Sequence, residues 1–230
     1  RIIDHRLPSV KGGIQMGIFA RPFSGKSTIL LNWFGRKDFY RGYYDRMAFF
    51  GASIQHDDTL ESLINHFGNA YDNCEDGTIE DVLKYQTEQD PDKERENMAM
   101  IFDDCLSMNG FSKRDSALTR LSARYRHLLK GDRGSGCLVI SNQRIYGSVP
   151  LSVRASINVW IIGRLNWSQL EQFTKEFGAV FGGEEALRTM LEECLEKEHG
   201  FFCGYLDGDN EPENHGRPVA YFNFKEKIFP

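Results

Sequence analysis

Apolar positions along this chain gather into short unbroken runs separated by stretches with helical spacing. Residues 14–20, 47–53, 98–102, 136–143 and 157–163 are five such runs, each bounded by polar or small residues. Runs without alternation read as strands buried on both faces, the pattern of a parallel sheet covered by helices. Helical stretches lie between them, over residues 28–34, around 60–67 and around 79–86. Residues 112–133 form another, because Leu118, Leu121, Tyr125, Leu128 and Leu129 recur at helical spacing. Residues 166–199 read as helices with a break at 178–183, and residues 201–206 with 219–224 read as a closing β-hairpin. The alternation of strand and helix predicts an α/β fold. It forms one domain over residues 1–230, with its core at about 14–165 and terminal helices and hairpin over 166–230.

Composition narrows the class without naming it. The 230 residues are 40% hydrophobic and 27% charged, an ordinary globular balance. No apolar run approaches the roughly 20 residues needed to span a bilayer, and residues 1–13 carry no signal-peptide pattern, so a cytosolic setting is expected. The five cysteines are odd in number and lack C-x-x-C spacing, which speaks against a disulfide framework or a zinc site. A net charge of −5 confines any nucleic-acid contact to a local patch. The one long basic stretch is residues 112–133. There Lys113, Arg114, Arg120, Arg124, Arg126, Lys130 and Arg133 face only Asp115 and Asp132.

Chemistry enters where the first strand ends. Ala20-Arg21-Pro22-Phe23-Ser24-Gly25-Lys26-Ser27-Thr28 stands between a strand-like run and a helix-like run, the setting of a phosphate-binding loop. Backbone N–H groups and an open helix N-terminus converge there on an anion, and Gly25 lets the backbone approach it. Lys26 would reach the β- and γ-phosphates and Ser27 would ligate magnesium. Ala20 stands where the usual pattern has glycine, and a methyl group fits there if the local φ is negative. The third strand ends in Asp103-Asp104. This pair supplies one carboxylate to hold magnesium through water (Asp103) and one to orient or deprotonate an attacking water (Asp104). The fourth strand ends in Ser141-Asn142-Gln143, where a neutral amide can sense the γ-phosphate or hold the water. Gln143 is the first choice for that role and Asn142 the alternate. The acidic segment 55–97 receives no chemistry.

Taken together, Ser24-Gly25-Lys26-Ser27-Thr28, Phe102-Asp103-Asp104, Arg126-His127, and Ser141-Asn142-Gln143 followed by Val149-Pro150, Arg154 and Asn158 resemble the FtsK/HerA superfamily of DNA-pumping ATPases. Within it they look most like the genome-packaging ATPases of poxvirus-like large DNA viruses, their virophages and related membrane-containing viruses. The resemblance implies a RecA-like P-loop core with an additional strand, a mainly parallel sheet of order 5-1-4-3-2, and ATP with Mg2+ at the interfaces of a homo-oligomeric ring. It implies an arginine acting on the neighbour's nucleotide, with Arg126 first and Arg133 and Arg154 open. The implied work is translocation of double-stranded DNA into a viral capsid, with a capsid or membrane vertex component as a further partner and the host cytoplasm (viral factory) or the virion as its place. Lys113 and Arg114 are the candidates for DNA contact. Two other classes stay in view. One is a P-loop nucleotide kinase or GTPase, although no N-K-x-D guanine motif occurs; the other is a scaffold that binds ATP without turnover. The stretch 128–136 is longer than the resemblance leads one to expect.

Overall fold

The computed structural model of the chain describes Pro8, Val10 and residues 12–88, 94–105 and 116–206. Seven strands, β1 (Ile14–Phe19), β2 (Arg46–Phe50), β3 (Ala70–Tyr71), β4 (Met98–Asp103), β5 (Cys137–Asn142), β6 (Val159–Ile162) and β7 (Phe202–Tyr205), build one sheet of order β3-β2-β4-β5-β1-β6-β7. All neighbours pair in parallel except β6 and β7. The five expected strands therefore keep the order 5-1-4-3-2, and the difference lies at the two edges. The two-residue β3 adds beyond β2, too short to give a sequence signal. At the other edge, the first arm of the expected closing hairpin joins the main sheet antiparallel to β6. Its second arm, residues 219–224, lies outside the described residues.

Helices cover both faces, which is why the central strands show no alternation. Every residue of β1, β4 and β5 is buried. One face packs on α1 (Lys26–Gly35) and α2 (Glu61–Phe67), through Ile29, Leu30, Trp33, Phe34 and Leu63. The other packs on α3 (Asp76–Thr87), α4 (Ala117–Leu128), the short α5 (Leu151–Arg154), α6 (Trp167–Phe177) and α7 (Glu184–Glu196). Fully burying each large apolar side chain contributes about 1.5–3 kcal/mol, so the two layers hold the sheet firmly between them.

The basic helix is shorter than the segment that predicts it. Ser116 caps α4, its Oγ accepting from the Thr119 N–H at 3.2 Å, and Leu118, Leu121 and Tyr125 turn inward. Beyond Leu129 the extra length forms a tight turn bridged between Gly131 and Gly134. That turn docks on the entry to β4, where the Arg95 N–H donates to Asp132 Oδ2 at 2.7 Å and the Asp132 N–H to the Arg95 carbonyl at 3.0 Å. The entry to β1 is fixed in a similar way. Asn158 accepts from the Gln15 N–H at 2.8 Å and donates to the Gly13 carbonyl at 3.0 Å, while the buried Gln15 amide donates to Ser122 Oγ at 2.7 Å and to the Val153 carbonyl at 3.1 Å. All the parallel strands end at the opposite edge.

Candidate nucleotide site at the carboxyl edge of the sheet

In a parallel sheet the strand ends share one edge, and the residues that follow them meet there. The loop 20–25 leaves β1 tied to both flanking strands. The Ala20 N–H donates to the Asn142 carbonyl at 3.2 Å, and the Arg21 N–H to the Arg164 carbonyl at 3.0 Å. Gly25 precedes α1 with φ +99°, and no side chain caps the helix, so its first N–H groups are open to a ligand. Ala20 is not among the residues of positive φ. Its methyl group has room because residue 163, across the loop, is glycine: a Cβ there would lie 2.7 Å from the Ala20 Cβ.

Lys26 is buried and folds back over the loop, its Nζ 3.5 Å from the Ala20 carbonyl and 3.8 Å from Asp104 Oδ2. Ser27 Oγ donates to Asp57 Oδ2 at 2.6 Å, and Asp57 Oδ1 accepts from the N–H groups of Thr59 and Leu60 at 2.9 and 3.3 Å. Asp57 comes from segment 55–97, to which no chemistry is assigned from sequence, and the fold sets its carboxylate against Ser27. The signal for it was positional, a carboxylate shortly after a parallel strand, but the acidity around it hid a single residue.

Asp103 ends β4 on the α1 side of the sheet and faces Ser141 in register across β5. Burial pushes its carboxyl up to about 6; Asp104 and Asp57 add to the rise, and the Ser141 hydroxyl and the Lys26 ammonium oppose it. Asp103 Oδ1 and Asp104 Oδ1 are buried without partners. Asp104 has φ +46°, and this left-handed step sets its Oδ2 within reach of both Lys26 and the Gln143 amide, which donates at 3.5 Å. Among the described residues no cluster of His, Cys, Asp or Glu could hold a metal unaided. A hydroxyl, a buried carboxylate and unpartnered oxygens do suit Mg2+, which keeps waters and takes its remaining oxygens from phosphates.

The other candidates are more dispersed. Arg21 donates to the Leu165 carbonyl at 3.4 Å, Pro22 is exposed, and Phe23 at the loop tip is 99% exposed with φ +59°. Ser24 and Thr28 are half-buried on either side of Gly25 and Lys26. Both polar atoms of the Asn142 side chain are buried without partners, and strand alternation turns it away from the face that carries Asp103 and Ser141. None of the three arginines reaches the loop. Arg126 is exposed beside Gly13, at the far edge of the sheet, and donates to the Tyr125 hydroxyl at 3.2 Å. Arg133 pairs with Asp45 and lies 3.8 Å from Glu94. Arg154 donates to the Val149 carbonyl at 2.7 Å, pairs with Glu176 at 3.5 Å and lies over the Tyr146 ring. Lys113 and Arg114 lie outside the described residues. Sequence reasoning missed Asp57 and Ser141.

Among solved structures, the chain is similar to B204, the DNA-packaging ATPase from Sulfolobus turreted icosahedral virus. The TM-score is 0.59 at 13% identity, over 86% of this chain and 94% of that one. The fold is that of a P-loop NTPase. The genome packaging NTPase B204 of Sulfolobus turreted icosahedral virus 2, in complex with ATP-γ-S, matches this P-loop NTPase fold with a TM-score of 0.55 at 15% identity, covering 86% of this chain and 93% of that one. The conjugation coupling protein TcpA of pCW3 shares it with a TM-score of 0.50 at 18% identity, over 86% of this chain and 58% of that one. No family model and no curated protein matches the sequence.

Proposed function

We propose that this chain is a magnesium-dependent ATPase whose hydrolysis drives double-stranded DNA into a viral capsid. The observation that carries the reading is the gathering of Lys26, Ser27, Asp103, Asp104 and Gln143 at the sheet edge, with β5 inserted between the phosphate-loop strand and the acidic strand. Support comes from the likeness of the fold to a protein described as a genome packaging NTPase, over nearly the whole length of both chains.

In this reading the open N–H groups of α1 and Lys26 bind the triphosphate, with Lys26 also neutralising charge that develops on it. Ser27 and Asp103, the latter through water, would hold Mg2+, which supplies further charge neutralisation at the phosphates. Asp57 keeps the Ser27 hydroxyl proton directed away from the metal, leaving its lone pairs free to ligate. Asp104 and Gln143 share the placement of the attacking water, and Lys26, 3.8 Å from Asp104 Oδ2, helps fix where that carboxylate sits.

Hydrolysis coupled to movement needs a neighbour, so the chain works as a homo-oligomeric ring in the virion or in the host cytoplasm where virions assemble. A capsid or membrane vertex component anchors it, and no described helix is long and apolar enough to cross a membrane. Arg126 is the candidate trans arginine, because Arg133 and Arg154 are engaged within their own subunit. Lys113 and Arg114 contact the DNA backbone; each lost phosphate contact changes the slope of log K against log salt by about 0.9. The test is ATP hydrolysis with and without duplex DNA, together with mass measured in a non-hydrolysable analogue. Stimulated turnover by a ring supports the proposal. Turnover only with a phosphoryl acceptor would replace it with a kinase, and binding without turnover with a scaffold.

A further inference from the structure

We infer that His199 is a positioning residue of the nucleotide site, holding the Ser24–Gly25 peptide so that the Gly25 N–H points into the phosphate loop. The inference rests on the reading of residues 20–28 as a phosphate site. His199 lies in the turn between α7 and β7, far along the chain from the loop, and nothing in its sequence neighbourhood marks it.

Three observations converge on it. First, His199 Nδ1 lies 3.2 Å from the Ser24 carbonyl oxygen. A carbonyl only accepts, so Nδ1 carries the proton and faces the loop, while Nε2 lies 4.0 Å from Glu198 Oε1. Second, His199 has φ +54°, in the left-handed region that side chains rarely adopt. Only Phe23, Asp104 and His199 share this feature among the described non-glycine residues, and Phe23 and Asp104 both belong to the site. Strain of this kind persists where the surroundings hold it and gathers at functional positions. Third, the turn is braced on both sides. A Cβ on Gly200 would lie 2.0 Å from the Cys194 carbonyl oxygen, so the chain is pressed against the end of α7, and Phe201 packs behind the loop. A Cβ on Gly25 would lie 4.0 Å from both His199 Nδ1 and the Phe201 ring. The α7–β7 turn is therefore the outer wall of the phosphate loop.

The consequence follows from peptide geometry. No peptide bond in the described chain is cis, and across a trans peptide the C=O and the next N–H point in opposite directions. A Ser24 carbonyl held outward by His199 sends the Gly25 N–H inward, toward the space an anion would fill. Without the imidazole that peptide is free to rotate, because Gly25 tolerates nearly any φ. Aim is then lost in one charge-assisted hydrogen bond, worth about tenfold in affinity.

Two substitutions in the full chain separate this role from mere turn-building. His199→Gly keeps the left-handed backbone without strain and removes the donor. His199→Asn also enters that region readily, and its amide nitrogen sits where imidazole Nδ1 sits. Binding of a non-hydrolysable ATP analogue is measured by calorimetry, alongside urea unfolding without nucleotide. We expect His199→Gly to bind about tenfold more weakly at an unfolding midpoint no lower than that of the parent, and His199→Asn to recover most of the affinity. Parent-like binding by His199→Gly overturns the inference, as does a loss that His199→Asn fails to recover. Failure of the unsubstituted chain to bind the analogue would instead overturn the nucleotide reading itself.

Discussion

Removing the charge of Asp103 should make the nucleotide-free protein more stable, although the residue is proposed to serve the metal. Its side chain is 8% exposed, one carboxylate oxygen has no partner, and Asp104 and Asp57 add negative charge nearby. The carboxyl therefore titrates at about 6 in the folded protein against 3.8 in an unfolded chain. Between these values the folded state binds the proton more tightly than the unfolded state, so stability falls as pH rises from about 4 to about 6, and the full penalty persists above. A rise of about two units corresponds to about 3 kcal/mol, an upper figure because solvent and side chains relax around the charge. Asp103→Asn keeps the shape without the ionisation. Urea unfolding of both proteins in chelator, from pH 4 to pH 8, should show the variant more stable by about 1–3 kcal/mol at pH 7.5 and the difference vanishing near pH 4. For a domain of this size that is a gain of several degrees in the unfolding midpoint, about 2–4 °C per kcal/mol. Magnesium with an ATP analogue should reverse the order by stabilising only the parent. A variant less stable at pH 7.5, or a difference that does not change with pH, would refute the account of Asp103 as a destabilising buried charge retained for a ligand.

Three further outcomes are expected. Lys26→Ala should abolish hydrolysis and weaken nucleotide binding, whereas Asp104→Asn should keep binding and stop turnover; equal loss of affinity in both would undo the division between holding phosphate and placing water. Gly163→Ala would set a Cβ 2.7 Å from the Ala20 methyl and 2.6 Å from the Phe201 ring, destabilising by about 1–3 kcal/mol, and Ala20→Gly should recover part of the loss in a double-mutant cycle; additive effects would show that the two positions do not share the space. Rings mixed from Arg126→Ala and Lys26→Ala subunits, each inactive alone, should regain partial activity, and demonstrated mixing without recovery would move the trans role elsewhere.

The architecture was legible because strands buried on both faces cannot hide. Helical layers on either side bury every position of β1, β4 and β5 and so favour apolar residues up to the strand ends, with Gln15 the buried polar exception, and those runs stand out in sequence. Lys26, Ser27, Asp103, Asp104 and Gln143 lie at or just beyond their carboxyl ends, and local spacing picks them out as candidates. Edge features escaped for the opposite reason. β3 is two residues long, and β7 finds its place only by pairing with β6, a contact between residues distant in the chain.

Local order along the chain thus determined the five core strands, the loop and the acid pair, since each depends on neighbours within a few residues. Only the tertiary structure decided what surrounds them. Asp57 reaches Ser27 across 30 positions of sequence, Gly163 makes room for Ala20, and His199 meets Ser24 across 175. Residue identity carries no trace of such pairings, because a carboxylate in an acidic segment or a histidine in a turn reads the same with or without a partner. The same holds for the arginines. Arg133 and Arg154 look as available in sequence as Arg126, and it is the ion pairs of the folded chain that set them apart.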